Sequence, residues 1–336
     1  MSSTVLPLPP APLPAHPAHP AHPAQPKNPI RLRLALAALA VAVALIAVFG
    51  SGYFVYLLNL IGIFALVAIG LNMLTGFSGQ MSLGHAGFFA IGAYASALLT
   101  QRLGLPFWLA IFIGSVIATL IGALIALPAL RLKNLYLAIA TLGFGIVVQK
   151  LIFEWRTLTG GGAGLQVPVP MIFGVSVAEG SRMTWVIALT LAAGTWAAFK
   201  LANGRTGRAL TMLRESETAA GCIGIHVARY KVTAFALSAF YTSVAGGLYA
   251  NLVRYINPES FSFNMSVMFL AMIVIGGMGS VRGALLGAAF YVIVPEAVRG
   301  FKDAPGLIFG LSLMLVMILL PGGLTSLFKA RKKATR

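Results

Sequence analysis

The strongest constraint on this chain is its succession of apolar runs, each close to the length an α-helix needs to cross about 30 Å of hydrocarbon. Ten runs are bounded by charges, prolines or glycine clusters: 34–50, 53–74, 84–101, 106–128, 134–153, 183–201, 232–252, 264–278, 283–298 and 305–321. Backbone N–H and C=O groups find no water at that depth, so a helix, which bonds them internally, is the element expected of each run. The eighth and ninth runs are short and join through "GGMGSVRG", which reads as two half-helices or one broken pair. Composition agrees: 59% of residues are hydrophobic and 9% charged, against about 25% charged in soluble domains. The expected fold class is all-α, a polytopic membrane helical bundle of about ten segments.

A net charge of +17 could suggest a nucleic-acid partner, but most basic residues lie in short segments between runs, where they report topology instead. With the N-terminus inside, seventeen of the 24 Lys and Arg and two of the 7 acids fall on the cytoplasmic side, leaving seven basic and five acidic residues opposite. The positive-inside rule then favours an even number of crossings with both termini cytoplasmic. Residues 1–30, containing "PLPPAPLPAHPAHPAHPAQP", have too much proline for helix or core and are expected to be a disordered cytoplasmic tail. His16, His19 and His22 fit biased low-complexity sequence better than a metal site. The first run lacks a secretory cleavage pattern and reads as a retained anchor. Residues 31–328 then form the membrane domain and 329–336 a basic cytoplasmic tail. The lone Cys222 excludes an internal disulfide and any CxxC or zinc pattern.

Two polar stretches exceed simple turns. The outer one, 154–182, combines a glycine run with prolines and apolar residues, as a folded extracytoplasmic cap would. The inner one, 203–231, places Ala209, Leu210, Leu213, Ala220 and Ile223 among Arg214, Glu215 and Glu217, which predicts one amphipathic helix over 208–223 ending near Gly224. A basic loop lying on anionic lipid would show the same composition.

Within that loop "ESETAAGCIGI" resembles the coupling motif of bacterial ABC importer permeases, with Glu217, Ala219, Ala220 and Gly224 at the matching places. The wider stretch 208–250 is similar to the branched-chain amino acid permease family, LivM type. So are "LNMLTGFSGQMSLGHAGFFAIGAYASALL" (71–99), "LYLAIATLGFG" (135–145) and "MFLAMIVIGGMGSVRGALLGAAFYVIVPE" (268–296). Together these stretches cover most of residues 50–320. The resemblance implies an ABC importer permease fold in a bacterial inner membrane, with Arg208, Arg214, Glu215, Glu217, Ala219, Ala220 and Gly224 serving ATPase coupling. It also implies four kinds of neighbour: two ATP-binding-cassette ATPase subunits, a homologous second permease of LivH type, a periplasmic substrate-binding protein and the lipid bilayer. No nucleic acid is expected, and no cofactor, ATP being bound by the partner ATPases. Leucine, isoleucine and valine are the implied cargo, with urea, short amides or other amino acids as alternatives.

Polar residues at the join of the second and third runs need their own explanation, because an unsatisfied polar group in hydrocarbon costs several kcal/mol. Residues 76–83 are expected to form a broken or re-entrant element facing the bundle interior. Gly84, Gly87 and Gly92, with Ala86, Ala90 and Ser96, would let the next helix approach its neighbours. Asn72, Ser78, Gln80, Ser82 and His85 are candidates for a translocation path, since intramembrane polar groups tend to face a pathway or a partner. Packing is the competing explanation, with Ser78 and Ser82 bonding their own helix backbone. Gly276, Gly277, Gly279, Gly283 and Gly287 mark a second break, and "GMGSVRG" echoes "GQMSLGHAG".

An enzyme is not expected: the acids are scattered at loops, no Walker-type phosphate loop exists and no His/Glu/Cys cluster has ligand spacing. A stand-alone secondary transporter or channel would also use broken helices, but no Asp or Glu lies in the middle of any run to couple an ion.

Overall fold

The computed structural model describes residues 52–130, 132, 134–172, 175–177, 182–298, 305–320 and 322–326. The tail 1–30, the run 34–50 and the tail 329–336 lie outside the described residues. The described residues contain twelve α-helices. They are α1 (Gly52–Leu71), continued by a π-helical turn at Asn72–Phe77, α2 (His85–Leu103), α3 (Phe107–Ala129), α4 (Asn134–Glu154), α5 (Arg156–Thr159), α6 (Arg182–Asn203), α7 (Arg205–Glu215), α8 (Glu217–Cys222), α9 (Val227–Val253), α10 (Phe263–Gly276), α11 (Val281–Ala297) and α12 (Pro305–Leu319). Short 3-10 helices at Gly161–Ala163 and Pro258–Phe261 and two antiparallel two-residue pairings, β1 (Leu165–Gln166) with β4 (Tyr255–Ile256) and β2 (Met171–Ile172) with β3 (Val175–Ser176), complete the described secondary structure.

Nine of the ten apolar runs fall on described helices, but not as nine equal crossings. Among the described residues, five segments are long and apolar enough to cross a membrane: Gly52–Phe77, Phe107–Pro128, Leu135–Glu154, Arg182–Asn203 and Val227–Val253. Helices α10, α11 and α12 have 14, 17 and 15 residues. At about 1.5 Å per residue these are some 21–26 Å long, short of the hydrocarbon thickness. The eighth and ninth runs are therefore two separate helices, joined by a turn in which Gly277 and Gly279 take φ +113° and +75°, values open to glycine and costly for other residues.

Helix α1 is apolar all round and sits at the centre, packed on α6, α9, α10 and α11. A helix without a polar face belongs in a core, and Ile63 to Leu71 are almost wholly buried. Helix α9 is the second hub, packed on α1, α2 and α3. It comes close to α2 because both present small residues: a Cβ at Gly92 would collide with the Ser243 carbonyl, and one at Gly246 with the Phe89 carbonyl. Where lipid is as apolar as leucine, such close contact rather than hydrophobicity holds helices together. Leu120, Leu124, Tyr136, Val147, Leu189 and Trp196 accordingly remain exposed on the outer surface.

The long helices separate two ends. At one, residues 154–172 form a folded cap on the ends of α2, α4 and α9. There β1 pairs with β4, Arg102 donates to the Thr157 carbonyl at 2.6 Å, Tyr255 to that of Ala163 at 2.7 Å and Gln149 to that of Pro258 at 3.1 Å. At the other lie α7, α8, the π-helical turn of α1 and the 277–280 turn.

The α2–α9 contact should tolerate no added bulk. Gly92→Leu is expected to lower stability by about 1–3 kcal/mol, read as a drop in the thermal unfolding midpoint in detergent. Gly143→Ala, where a Cβ would meet nothing, should leave that midpoint unchanged or raise it.

Candidate functional site: two helix breaks and the segment beneath them

Helix α1 reaches its end through a π-helical turn, a form often found at functional sites, and the chain then runs irregularly from Ser78 to Gly84 before α2 begins. This stretch lies inside the bundle. His85 meets Ser238, the twelfth residue of α9, which at 1.5 Å per residue lies about 16 Å along that helix. Non-helical backbone survives there only because protein groups satisfy it. The Ser78 hydroxyl donates to the Leu74 carbonyl at 2.6 Å, and the Gln80 amide nitrogen donates to Ser78 Oγ at 2.9 Å. Thr75 Oγ1 donates to the Gln80 carbonyl at 3.0 Å. Farther along, Leu83 N–H donates to Thr141 Oγ1 of α4 at 3.0 Å, and Ala86 N–H to Ser266 Oγ of α10 at 2.9 Å. The second of these fills one of the donors that every helix start leaves open.

His85 is fully buried and uses both ring nitrogens, with Nδ1 3.0 Å from Ser82 Oγ and Nε2 2.6 Å from Ser238 Oγ. A neutral imidazole offers one donor and one acceptor, and a hydroxyl can play either role, so the Ser82–His85–Ser238 chain closes in either tautomer. Asn72 does comparable work at the second break: its Oδ1 accepts from Gly279 N–H at 2.8 Å and its Nδ2 donates to the Ser280 carbonyl at 2.9 Å. The 277–280 turn is thereby pinned to the π-helical end of α1. Ser280 also caps α11, its hydroxyl accepting from Gly283 N–H at 3.3 Å.

Asn72, Ser78, Gln80, Ser82 and His85 are thus brought together around one irregular stretch, all buried within the chain. Ser78 bonds its own helix backbone, as the packing explanation holds; Ser82 instead bonds His85. Gln80 Oε1 has no hydrogen-bond partner. Sequence reasoning missed Thr141, Ser238, Ser266 and Ser280, because a hydroxyl within an apolar run carries no signal of its long-range partner.

Beneath this region the expected single helix 208–223 is two helices. Ser216, extended at φ −161° and ψ 115°, ends α7 and starts α8, its hydroxyl accepting from Ala219 N–H at 3.2 Å. Serine competes with helix backbone in this way and favours caps over helix interiors. The apolar side of the pair is spent on the chain itself: Leu210, Leu213 and Ala220 pack with Leu74, Leu137, Ala234 and Phe235. Arg208, Glu215, Glu217, Ala219 and Gly224 are exposed, and Arg208 donates to the Asn203 carbonyl at 3.1 Å. Glu217 pairs at 2.6 Å with Lys231, whose side chain is 6% exposed against 50% for the glutamate. Gly224 turns the chain at φ +83°. Arg214 is exposed as well, but its Nη1 donates to the Gly76 carbonyl at 2.7 Å. Lys231 was legible only as a flanking charge, since its burial depends on where α8 folds back.

Comparison with known proteins bears directly on this architecture. Residues 53–321 match the family described as the permease component of the branched-chain amino acid transport system. The high-affinity branched-chain amino acid transport system permease protein LivM of Escherichia coli K12 is 36% identical over 295 residues, covering 81% of this chain and 69% of the relative. The chain belongs to this permease family. LivM of Salmonella typhimurium is 35% identical with the same coverage. LivH of E. coli K12, a permease protein of the same system, is 27% identical over 289 residues, 78% of this chain and 90% of its own length. A solved structure, PsaBC from Streptococcus pneumoniae in complex with Fab, matches with a TM-score of 0.44 at 16% identity, over 84% of this chain and 94% of that one.

In this permease, removing the His85 ring leaves the Ser82 and Ser238 hydroxyls buried and unpaired. His85→Ala should therefore cost about 1–3 kcal/mol. In a double-mutant cycle of thermal unfolding, Ser238→Ala should cost less in the His85→Ala background than in the wild type.

Proposed function

We propose that this chain is one of two permease subunits of an ATP-driven importer in a bacterial cytoplasmic membrane. A homologous LivH-type chain forms the other half of the pathway, and two ATP-binding-cassette ATPase subunits seat against residues 205–224. These partners bind and hydrolyse ATP; the chain itself is a transport subunit. A soluble periplasmic binding protein delivers cargo to the cap at the opposite end. The cargo is leucine, isoleucine and valine, the relatives being named for branched-chain amino acid transport; urea, short amides or other amino acids are the alternatives that a change of binding protein would reveal.

The observation that carries this reading is the α7–α8 pair in a chain of the permease family: its apolar side is seated on the bundle and its polar side is free for a partner. The basic residues Arg205, Arg208 and Arg229 flank the pair, and the positive-inside rule supports the compartment that contains ATP. In the mechanism, closure of the ATPase dimer moves α7 and α8, and the helices packed on them convert that motion into opening at one end of the pathway. Binding energy is transmitted, and the chain performs no covalent step.

Reconstitution with the partner permease, both ATPases and the binding protein in proteoliposomes should give ATP-dependent leucine uptake. Uptake that ignores ATP, or needs no ATPase, would sink the proposal. The docking variant should avoid Gly224, where a side chain would strain the left-handed backbone, and a lone reversal at Glu217, which would leave the Lys231 ammonium buried without its partner. Gly221→Trp adds bulk at an exposed site where a Cβ meets nothing. It should abolish ATPase co-purification and uptake while the permease keeps its elution profile.

Topology supplies a separate check. With Cys222, which is exposed, replaced by Ser, Gly162→Cys should react with an impermeant thiol reagent on intact cells, and Ser216→Cys only after the membrane is breached. Labelling of the latter in intact cells would reverse the orientation.

A further inference from the structure

Of the exposed charged residues in the α7–α8 segment, Arg214 stands apart because its guanidinium reaches the backbone of a helix break. Its Nη1 donates to the Gly76 carbonyl at 2.7 Å, at the end of the 26-residue segment Gly52–Phe77. A helix end leaves its last carbonyls open and carries partial negative charge, so a guanidinium there is favourable on both counts. Two glycines flank the side chain. A Cβ at Gly79 would sit 3.0 Å from Arg214 Cγ, and one at Gly279 would sit 3.1 Å from Nη1. Gly79 belongs to the first helix break and Gly279 to the second, and Asn72 already ties the two together through Gly279 N–H and the Ser280 carbonyl.

We infer that Arg214 and Asn72 form one strut through which movement of the α7–α8 segment reaches both helix breaks, with the π-helical turn 72–77 as the element that yields. This inference rests on the coupling reading above and names the residue that does the transmitting. α7 is otherwise attached near this point by apolar packing through Leu210 and Leu213, which resists separation but is non-directional. A short charge-assisted hydrogen bond to a fixed carbonyl holds direction as well as distance. A π-turn has one residue more per hydrogen-bonded ring than an α-turn, and returning it to α geometry shifts everything beyond it. Residues 78–84, the irregular stretch that holds Gln80 and Ser82, lie immediately beyond. Arg214 is accordingly a positioning residue: it acts on the pathway through the backbone and touches no cargo.

The test uses the full-length chain in nanodiscs, alone and assembled with its ATPases, partner permease and binding protein. In the chain alone, Arg214→Gln should raise amide hydrogen exchange in both 72–80 and 277–283, although only the first contains the bonded carbonyl; unchanged exchange in 277–283 would overturn the strut. In the assembled complex, Arg214→Gln should lower the ratio of stimulated to unstimulated ATP hydrolysis at least about fivefold, with all subunits still co-purifying. Arg214→Lys, which keeps a donor of similar reach, should recover part of that loss. Combining Arg214→Gln with Asn72→Leu should lose little more than the worse single variant; additive losses would mean two independent contacts and overturn the proposal. A ratio within about twofold of wild type in Arg214→Gln would do the same. Failure of the wild-type chain to assemble with ATPases would instead remove the coupling reading and the transmitting role with it, while the exchange measurement would still decide whether the strut exists.

Discussion

Every peptide N–H and C=O at membrane depth must find its partner within the protein, and this chain interrupts its helices at two places where that requirement is hardest to meet. Its solution is to let the breaks satisfy each other. The π-helical end of α1 carries Asn72, whose side-chain amide matches the donor and acceptor of the Gly279–Ser280 turn. Hydroxyls of Thr141, Ser238 and Ser266, from three different helices, take up the polar groups of the stretch that leads into α2. Either break alone would leave buried donors or acceptors unmatched, at about 1–3 kcal/mol each.

The same economy explains the α7–α8 segment. Its apolar residues are consumed by the bundle and its charged ones are divided by what they bond: Glu217 neutralises a buried lysine, Arg214 donates to the Gly76 carbonyl, and Arg208 and Glu215 are exposed. An amphipathic pattern read as membrane-facing or partner-facing is thus satisfied first by the chain's own helices. The side left exposed is polar, together with Met212 and Ile223. That division gives the segment both a fixed seat on the bundle and an exposed polar side, and Arg214 links it to the backbone of the first break.

Much of the architecture was legible because hydrocarbon is an undemanding but strict solvent. Run lengths located nine described helices, and the eighth and ninth runs, read as two half-helices or one broken pair, are two helices joined by a glycine turn. Glycine and polar residues in 76–83 predicted an irregular buried stretch, and the small residues of α2 predicted close approach. The close approach has two partners rather than one face: Gly84 and Gly87 lie against Thr141, Phe144 and Gly145 of α4, and Gly92 against α9. The predicted helix over 208–223 was wrong in one respect that composition could not reveal. Periodicity runs unbroken through Ser216, but a serine hydroxyl can cap a new helix as readily as ride within an old one, and the choice depends on where Ala220 finds its pocket.

What the sequence determined by itself was class and family: apolar runs of crossing length require a helical membrane protein, and the motifs at 71–99, 135–145, 208–250 and 268–296 resemble one permease family, to which the chain belongs. What only the tertiary structure decided was which polar residues meet. Asn72 and Gly279 are 207 positions apart, His85 and Ser238 are 153, and Arg214 and Gly76 are 138. A hydrogen bond demands a match in distance and direction that no local pattern encodes, whereas hydrophobic partition needs only enough apolar surface in a row. The bilayer reads the second from the sequence directly; the first exists only once the helices have packed.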